Sequence, residues 1–294
     1  MSSHHTRLNL SAAAASVSVA LFLVVMKLWA LVQTQSLSVA ASLADSGMDL
    51  VVSALGLIGI AYAARPPDHD HAFGHSSAED LTALGQALFL VATAIALAGV
   101  SLRRLLAPTP APLTSEGTGI AVMLVSILLT GALILWQRRV ARLTGSRVVA
   151  ADSLHYLSDL LPSLGAILAL WLSARFGFTD VDTVVGLVAS AVLFFGAVRI
   201  GNGAWNALMD RRADPGLIAE IEGIIADHPG VIGFHDLRTR TAGSRIFVDF
   251  HIELDGTLSL NQAHAIGAGL KHRIIQSFPQ TDILIHKDPR DPDA

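Results

Sequence analysis

Between residues 8 and 64 the chain carries only three charged side chains, Lys27, Asp45 and Asp49. So long an apolar stretch suits a lipid environment, and it contains two runs near the roughly 20 residues a membrane-crossing helix needs. Four more such runs follow, so six segments read as spans, over residues 10–32, 37–63, 81–105, 117–136, 148–172 and 184–205. Over the whole chain 15% of residues are charged, against about 25% in an average soluble domain. Charge becomes dense only from about Asp210. That asymmetry predicts a transmembrane domain over residues 1–210 and a soluble domain over 211–294. A net charge of -4 argues against a nucleic-acid partner, and the absence of cysteine excludes disulfides and thiolate metal sites. The first apolar run is long enough to span, and no clear cleavage site follows it, so it does not read as a signal peptide.

Short connections containing Pro66-Pro67 and the prolines between Pro108 and Pro112 separate the spans. An even number of spans puts both termini on one side. Arg7, Arg65, Arg138, Arg139, Arg142, Arg147, Arg211 and Arg212 fall on that side, while Arg103, Arg104 and Arg175 fall on the other. The positive-inside bias then makes both termini and the tail cytoplasmic.

The tail alternates element types. Residues 215–228 have helical apolar spacing at Leu217, Ile218, Ile221, Ile224 and Ile225. Residues 231–241 and 245–254 read as strands around a hairpin turn at Ala242-Gly243-Ser244. Ser259 is placed to cap a second helix running to about Ser277, and residues 282–286 form a last strand. The order αββαβ suits an α+β sandwich with both helices on one sheet face. Its core is small and gains from dimerisation or bound metal.

The chemistry lies in two apolar segments that each carry a pair of ligand-type side chains four residues apart, Asp45 with Asp49 and His155 with Asp159. Four residues is about one helical turn, so each pair projects from one face. Intramembrane ionisable groups are costly and mark transport pathways. Facing one another, three carboxylates and an imidazole make a four-ligand site for a divalent metal, zinc above all. The bland alternative is a polar clamp between helices; two pairs of these residue types weigh against it. Asp152, three residues before His155, reads as an entrance charge, a proton relay or a helix-start residue, with a boundary role preferred, and Pro162 as a bend or tolerated kink beyond the site.

These residues resemble the cation diffusion facilitator family. The resemblance covers nearly the whole chain, through LADSGMDL, DHDHAFGH, HYLSD, GVIGFHDLRTR, FVDFHIEL, LNQAHAI and DILIHKDP. It implies a homodimer with six spans per subunit and a cytoplasmic ferredoxin-like domain, embedded in the bacterial inner membrane. It implies alternating-access export of a divalent metal, Zn2+ first, in exchange for protons. Asp45, Asp49, His155 and Asp159 match the family's transport site. Asp68, His71 and His75 match a secondary zinc site in the loop, with Asp70 as a carboxylate that could substitute. His235, His251, His264, His286 and Asp288 match a two-metal cytoplasmic cluster, with Asp288 the natural bridge. A histidine in the fifth span resembles the zinc and cadmium type rather than the manganese type, and imidazole suits zinc. The runner-up readings are an exporter mainly of Cd2+, Fe2+ or Mn2+, and a membrane-anchored zinc sensor that does not transport. No HExxH or GxxxxGK[ST] motif supports a metallohydrolase or an ATP-driven pump, so the chain is not expected to be an enzyme.

One position departs from the family. Many relatives carry a lysine where this chain has Ser77, paired with an acid that persists here as Asp210. Dimer contacts are then expected to involve Arg211 or Arg212 with Glu79 or Asp80, or to be looser. Gly196, Gly201 and Gly203 would permit close helix approach.

Overall fold

A computed structural model describes residues 3–34, 37–106, 117–176 and 181–290. Six long helices come first: α1 Ser3–Thr34, α2 Leu37–Ala63, α3 Ser77–Leu106, α4 Gly117–Thr144, α5 Arg147–Phe176 and α6 Val181–Leu208. The shortest has 27 residues, about 40 Å at 1.5 Å per residue, more than a bilayer core requires. Among the described residues, His5–Val32, Ser46–Ala63, Ser77–Arg103 and Gly186–Leu208 are long and apolar enough to cross a membrane. The expected turn between Pro108 and Pro112 lies outside the described residues.

Which residues face outward settles the solvent. Trp29 is 60% exposed, Leu135 72% and Phe195 71%. Many of the side chains buried between the helices are small, among them Ala12, Ser16, Ala83, Ala197 and Ala204, beside a few large ones such as Leu90, Leu193 and Tyr156. Large apolar groups on the outer face and many small ones between helices is the pattern of a bundle in lipid, where helices associate by close packing rather than by escape from water.

Helix ends extend beyond the apolar runs. The α4 helix continues past Trp136 through Arg138, Arg139 and Arg142 to Thr144. Only Gly145 and Ser146 separate it from α5. Gly145 takes φ +72°, a conformation open to glycine at little cost, and its N–H caps the carbonyl of Ala141 at 2.9 Å. α5 continues as a helix through Pro162.

The chain divides into two compact units, Arg7–Trp205 and Asn206–Ala294, the second also taking in Met1–Thr6. The tail has the expected order: α7 Pro215–Ala226, β1 Gly233–Ala242, β2 Arg245–Asp255, α8 Leu260–Ser277 and β3 Thr281–Arg290. Asp214 caps α7 by accepting from Gly216 N at 2.9 Å, and Pro215 fits the first helical position. Ser259 and Gln262 form a capping box at α8. The sheet order is β1-β2-β3, with β1 antiparallel and β3 parallel to β2. Ala242 pairs with Arg245, which leaves Gly243-Ser244 as the turn, with Gly243 at φ +54°. The last strand runs beyond His286 to Arg290. It is an edge strand, so Pro289 costs it no ladder bond that matters.

Val248, Phe250, Ile252 and Leu254 of β2 pack with Ile221 and Ile225 of α7 and Leu270 and Ile274 of α8. Alternation along the strand then puts Asp249, His251 and Glu253 on the opposite face, away from both helices.

Candidate metal sites

The two long-range halves of the intramembrane constellation meet. Asp49 on α2, His155 and Asp159 on α5 bring one ligand atom each within 4.8 Å of one another. His155 Nε2 lies 3.0 Å from Asp49 Oδ1. Its ring sits edge-on to Phe89 at 6.0 Å, while Ser158 Oγ donates to Asp159 Oδ1 at 3.3 Å. Among the described residues, His155 Nδ1 is buried with no hydrogen-bond partner. The side chain of Asp45 lies outside the described residues; its backbone is in α2. Two oxygens and an imidazole already match the donors that zinc takes.

Asp152 is not a boundary residue. α5 begins at Arg147, so Asp152 falls inside the helix and is 4% exposed. Sequence placed it three residues before His155, but not against the other helices that bury it.

The loop residues gather around Asp68. Its Oδ1 accepts from the N–H groups of His71 at 2.7 Å and Asp70 at 3.1 Å. Its Oδ2 lies 3.2 Å from His75 Nε2. The N–H of His71 and, less strongly, the charges of His75 and His71 hold the Asp68 carboxyl below the usual carboxylate range. His75 Nδ1 is 3.2 Å from Pro66 O. A carbonyl only accepts, so Nδ1 carries the proton and Nε2 is left as the ligand atom. Asp68, His71 and His75 together bring ligand atoms within 4.8 Å. Asp70 turns outward to His69 at 3.4 Å, with its side chain 86% exposed, and does not join them. Its backbone serves the turn, and its side chain is free of it.

In the tail, one histidine from each strand forms a row across the open sheet face. His235 pairs with His251 and His251 with His286 in register, with ring centroids 5.0 and 4.6 Å apart. Asp288, two residues beyond His286 and on the same face, sits between them. Its Oδ2 is 2.8 Å from His251 Nδ1 and 3.2 Å from His235 Nε2, and its Oδ1 is 2.8 Å from His286 Nδ1. The His251 hydrogen bond, then that of His286, keeps the Asp288 carboxyl below the usual range. A bulge in β1 between His235 and Arg238, with Asp236 at φ +52°, ends the regular pairing beside this row. His264 is not brought to the row. It is exposed on α8, and α8 covers the other face of the sheet.

Glu79 and Asp80, expected at a dimer contact, are 4% and 1% exposed within one chain. Because α3 starts at Ser77 rather than Leu81, both occupy its first turn. There Arg147 Nη1 of α5 donates to Asp80 Oδ1. Asp210 pairs with Arg240 at 3.3 Å.

The model of the cation efflux transmembrane domain matches residues 13–209, and that of the cation efflux protein cytoplasmic domain matches residues 213–290. The chain is 41% identical to the cation-efflux pump FieF of Shewanella oneidensis, over 95% of this chain and 93% of that protein. It is 37% identical to protein p34 of Rickettsia prowazekii, over 98% of this chain and 95% of that protein. The cation-efflux pump FieF of Escherichia coli gives the same 37% identity and coverage. A solved structure, the metal-bound C-terminal domain of the CzcD transporter from Thermotoga maritima, is 25% identical over 25% of this chain and 87% of that one, with a TM-score of 0.25.

Proposed function

Because this chain belongs to the cation efflux family, the cation diffusion facilitators, and is an integral membrane transporter of cations, we propose that its substrate is Zn2+, exported from the cytoplasm in exchange for protons. The observation that carries this reading is the cluster of Asp49, His155 and Asp159, with ligand atoms within 4.8 Å inside a bundle whose outer face is apolar. With Asp45 as the fourth donor, the ionised set carries three negative charges against the two positive charges of the metal. Protons then compete with metal for the same atoms, since zinc requires deprotonated ligands. Exchange of one for the other gives alternating access its driving force: the empty site recharges with protons on one side and yields them to metal on the other. Imidazole among the donors favours zinc or cadmium over manganese.

We place both termini on the cytoplasmic side of a bacterial inner membrane, from the arginine bias, and read the protein as a homodimer. On this reading the loop set and the tail row hold further metal ions and serve regulation, with the row on the open sheet face tightening the dimer as cytoplasmic metal rises. Such binding stabilises only the state that binds.

The deciding measurement is zinc uptake into proteoliposomes under an imposed pH gradient. Wild type is expected to move zinc with opposing proton flow, and Asp49→Ala or Asp159→Ala to abolish it. Undiminished flux in both variants would overturn the assignment of the transport site.

A further inference from the structure

Among the described side chains, polar contacts join α2 and α5 at two levels, one of them made of candidate ligands. The upper level is Asp49 with His155, at 3.0 Å. The lower is Ser53 with Asp152, where Ser53 Oγ donates to Asp152 Oδ1 at 3.2 Å. From the upper level to the lower, α2 advances four residues while α5 goes back three. That is what two antiparallel helices require for rungs about one turn, some 5.4 Å, apart. Nothing at the lower level reaches solvent: Asp152 is 4% exposed, Ser53 and Tyr156 1%, Ser16 and Gln137 0%.

The lower rung is braced from two more helices. Gln137 Nε2 of α4 donates to Asp152 Oδ2 at 2.6 Å. Ser16 Oγ of α1 donates to Ser53 Oγ at 2.9 Å. Tyr156 OH lies 3.0 Å from Ser53 Oγ and donates to the Ser16 carbonyl at 3.3 Å. Both Asp152 oxygens are thus engaged by side chains from neighbouring helices. A carboxylate in such a place is expensive, and a plain helix clamp can be built from serine and amide groups alone. Its two oxygens let one side chain take hydrogen bonds from two helices at once, and a brace shared in that way is useful where a metal sits one turn away. Zinc with nitrogen and oxygen donors wants bonds of about 2.0–2.2 Å in a tetrahedron, whereas manganese suits an oxygen-rich octahedron. The separation of α2 and α5 decides which of these the ligands can close around.

We propose that Asp152, held by Ser53 and Gln137, is a positioning residue that fixes the α2–α5 separation and so sets the discrimination between metals at the Asp49–His155–Asp159 site. The proposal rests on that cluster being the transport site.

Gln137 supplies the control. Among the described residues its Oε1 is buried with no hydrogen-bond partner, so turning its amide over offers an acceptor to the new amide of Asp152→Asn. Asp152→Asn therefore keeps the brace and removes the charge, while Asp152→Ala removes both. The test compares zinc and manganese transport, KM and maximal rate separately, by full-length protein in proteoliposomes. Asp152→Ala is expected to shrink the zinc-over-manganese ratio of rate over KM by about tenfold, the scale of two lost hydrogen bonds. Ser53→Ala, which leaves the Gln137 bond, should shrink it about threefold, and Asp152→Asn should stay within about twofold of wild type. A wild-type ratio in Asp152→Ala overturns the proposal. So does an Asp152→Asn as impaired as Asp152→Ala, because the charge and not the brace would then be what matters. If Asp152→Ala does not fold, Ser53→Ala decides alone, and an unchanged ratio rejects the brace. Asp49→Ala, run alongside, separates the premise: surviving zinc flux there rejects the transport site and leaves the brace without a site to position.

Discussion

Asp80 is 1% exposed at the N-terminal turn of α3, and the guanidinium that compensates it comes from the first residue of α5. The Arg147 side chain is 30% exposed, and a side chain added at Gly203 of α6 would come within 3.1 Å of its Nε. Glycine there leaves the guanidinium room to pass. Removing one partner of a buried pair costs about 3–5 kcal/mol; with Arg147 partly solvated, roughly 2 kcal/mol is the expected loss for Arg147→Met. Thermal unfolding of the purified protein should show Arg147→Met well below wild type, Arg147→Lys between them, and Asp80→Asn with Arg147→Met restoring much of the difference. Additive single-variant losses in the double variant would show that the pair is not coupled. Neither this pair nor the Asp152 brace was legible in the sequence. A carboxylate near a helix start reads as a solvated end, and only partners far along the chain reveal that it is buried.

The tail is the element-scale case in which local sequence said most. Apolar periodicity, the Ser259 cap and the glycine turn locate α7, β1, β2 and α8 nearly residue for residue, because those signals act within a few positions. The length of β3 was less legible, since its last residues are strand only by pairing with β2 out to Asp255. The histidine row depends on register: a slip of one residue would turn His251 into the hydrophobic face. With a core of its own, the 211–294 fragment is expected to melt higher with zinc than with chelator, and to lose the gain in Asp288→Ala. No gain in the wild-type fragment would remove the tail from any regulatory role.

The sign of its pH dependence follows from Asp288. Its folded carboxyl titrates below the ordinary range, so its contribution is whole above about pH 4 and disappears as pH falls through the lowered folded value. Metal-free fragment should therefore lose stability toward urea as pH falls below about 4, and His251→Ala, which removes the first cause of the shift, should lose less over that interval. An equal loss in both would assign the acid sensitivity elsewhere.

For the whole molecule, orientation in the bilayer is the property to measure. The chain has no cysteine, so single introduced cysteines report cleanly. Leu106→Cys, at the exposed C-terminal end of α3, should react with an impermeant maleimide in intact cells, and Ala226→Cys, exposed at the end of α7, only in inverted vesicles. The reverse pattern would invert the proposed topology. What the sequence by itself determined is the kind of solvent, the helix and strand types, and which side chains are of metal-ligand type, since composition and short-range spacing suffice for these. Tertiary structure decided which of those residues meet. It joins Asp49 to His155 across 106 positions, Ser53 to Asp152 across 99 and Arg147 to Asp80 across 67. It also leaves Asp70 turned outward and His264 on the far face of the sheet from the histidine row. A side chain's burial and its partner are properties of helix packing and strand register, and no local pattern carries them.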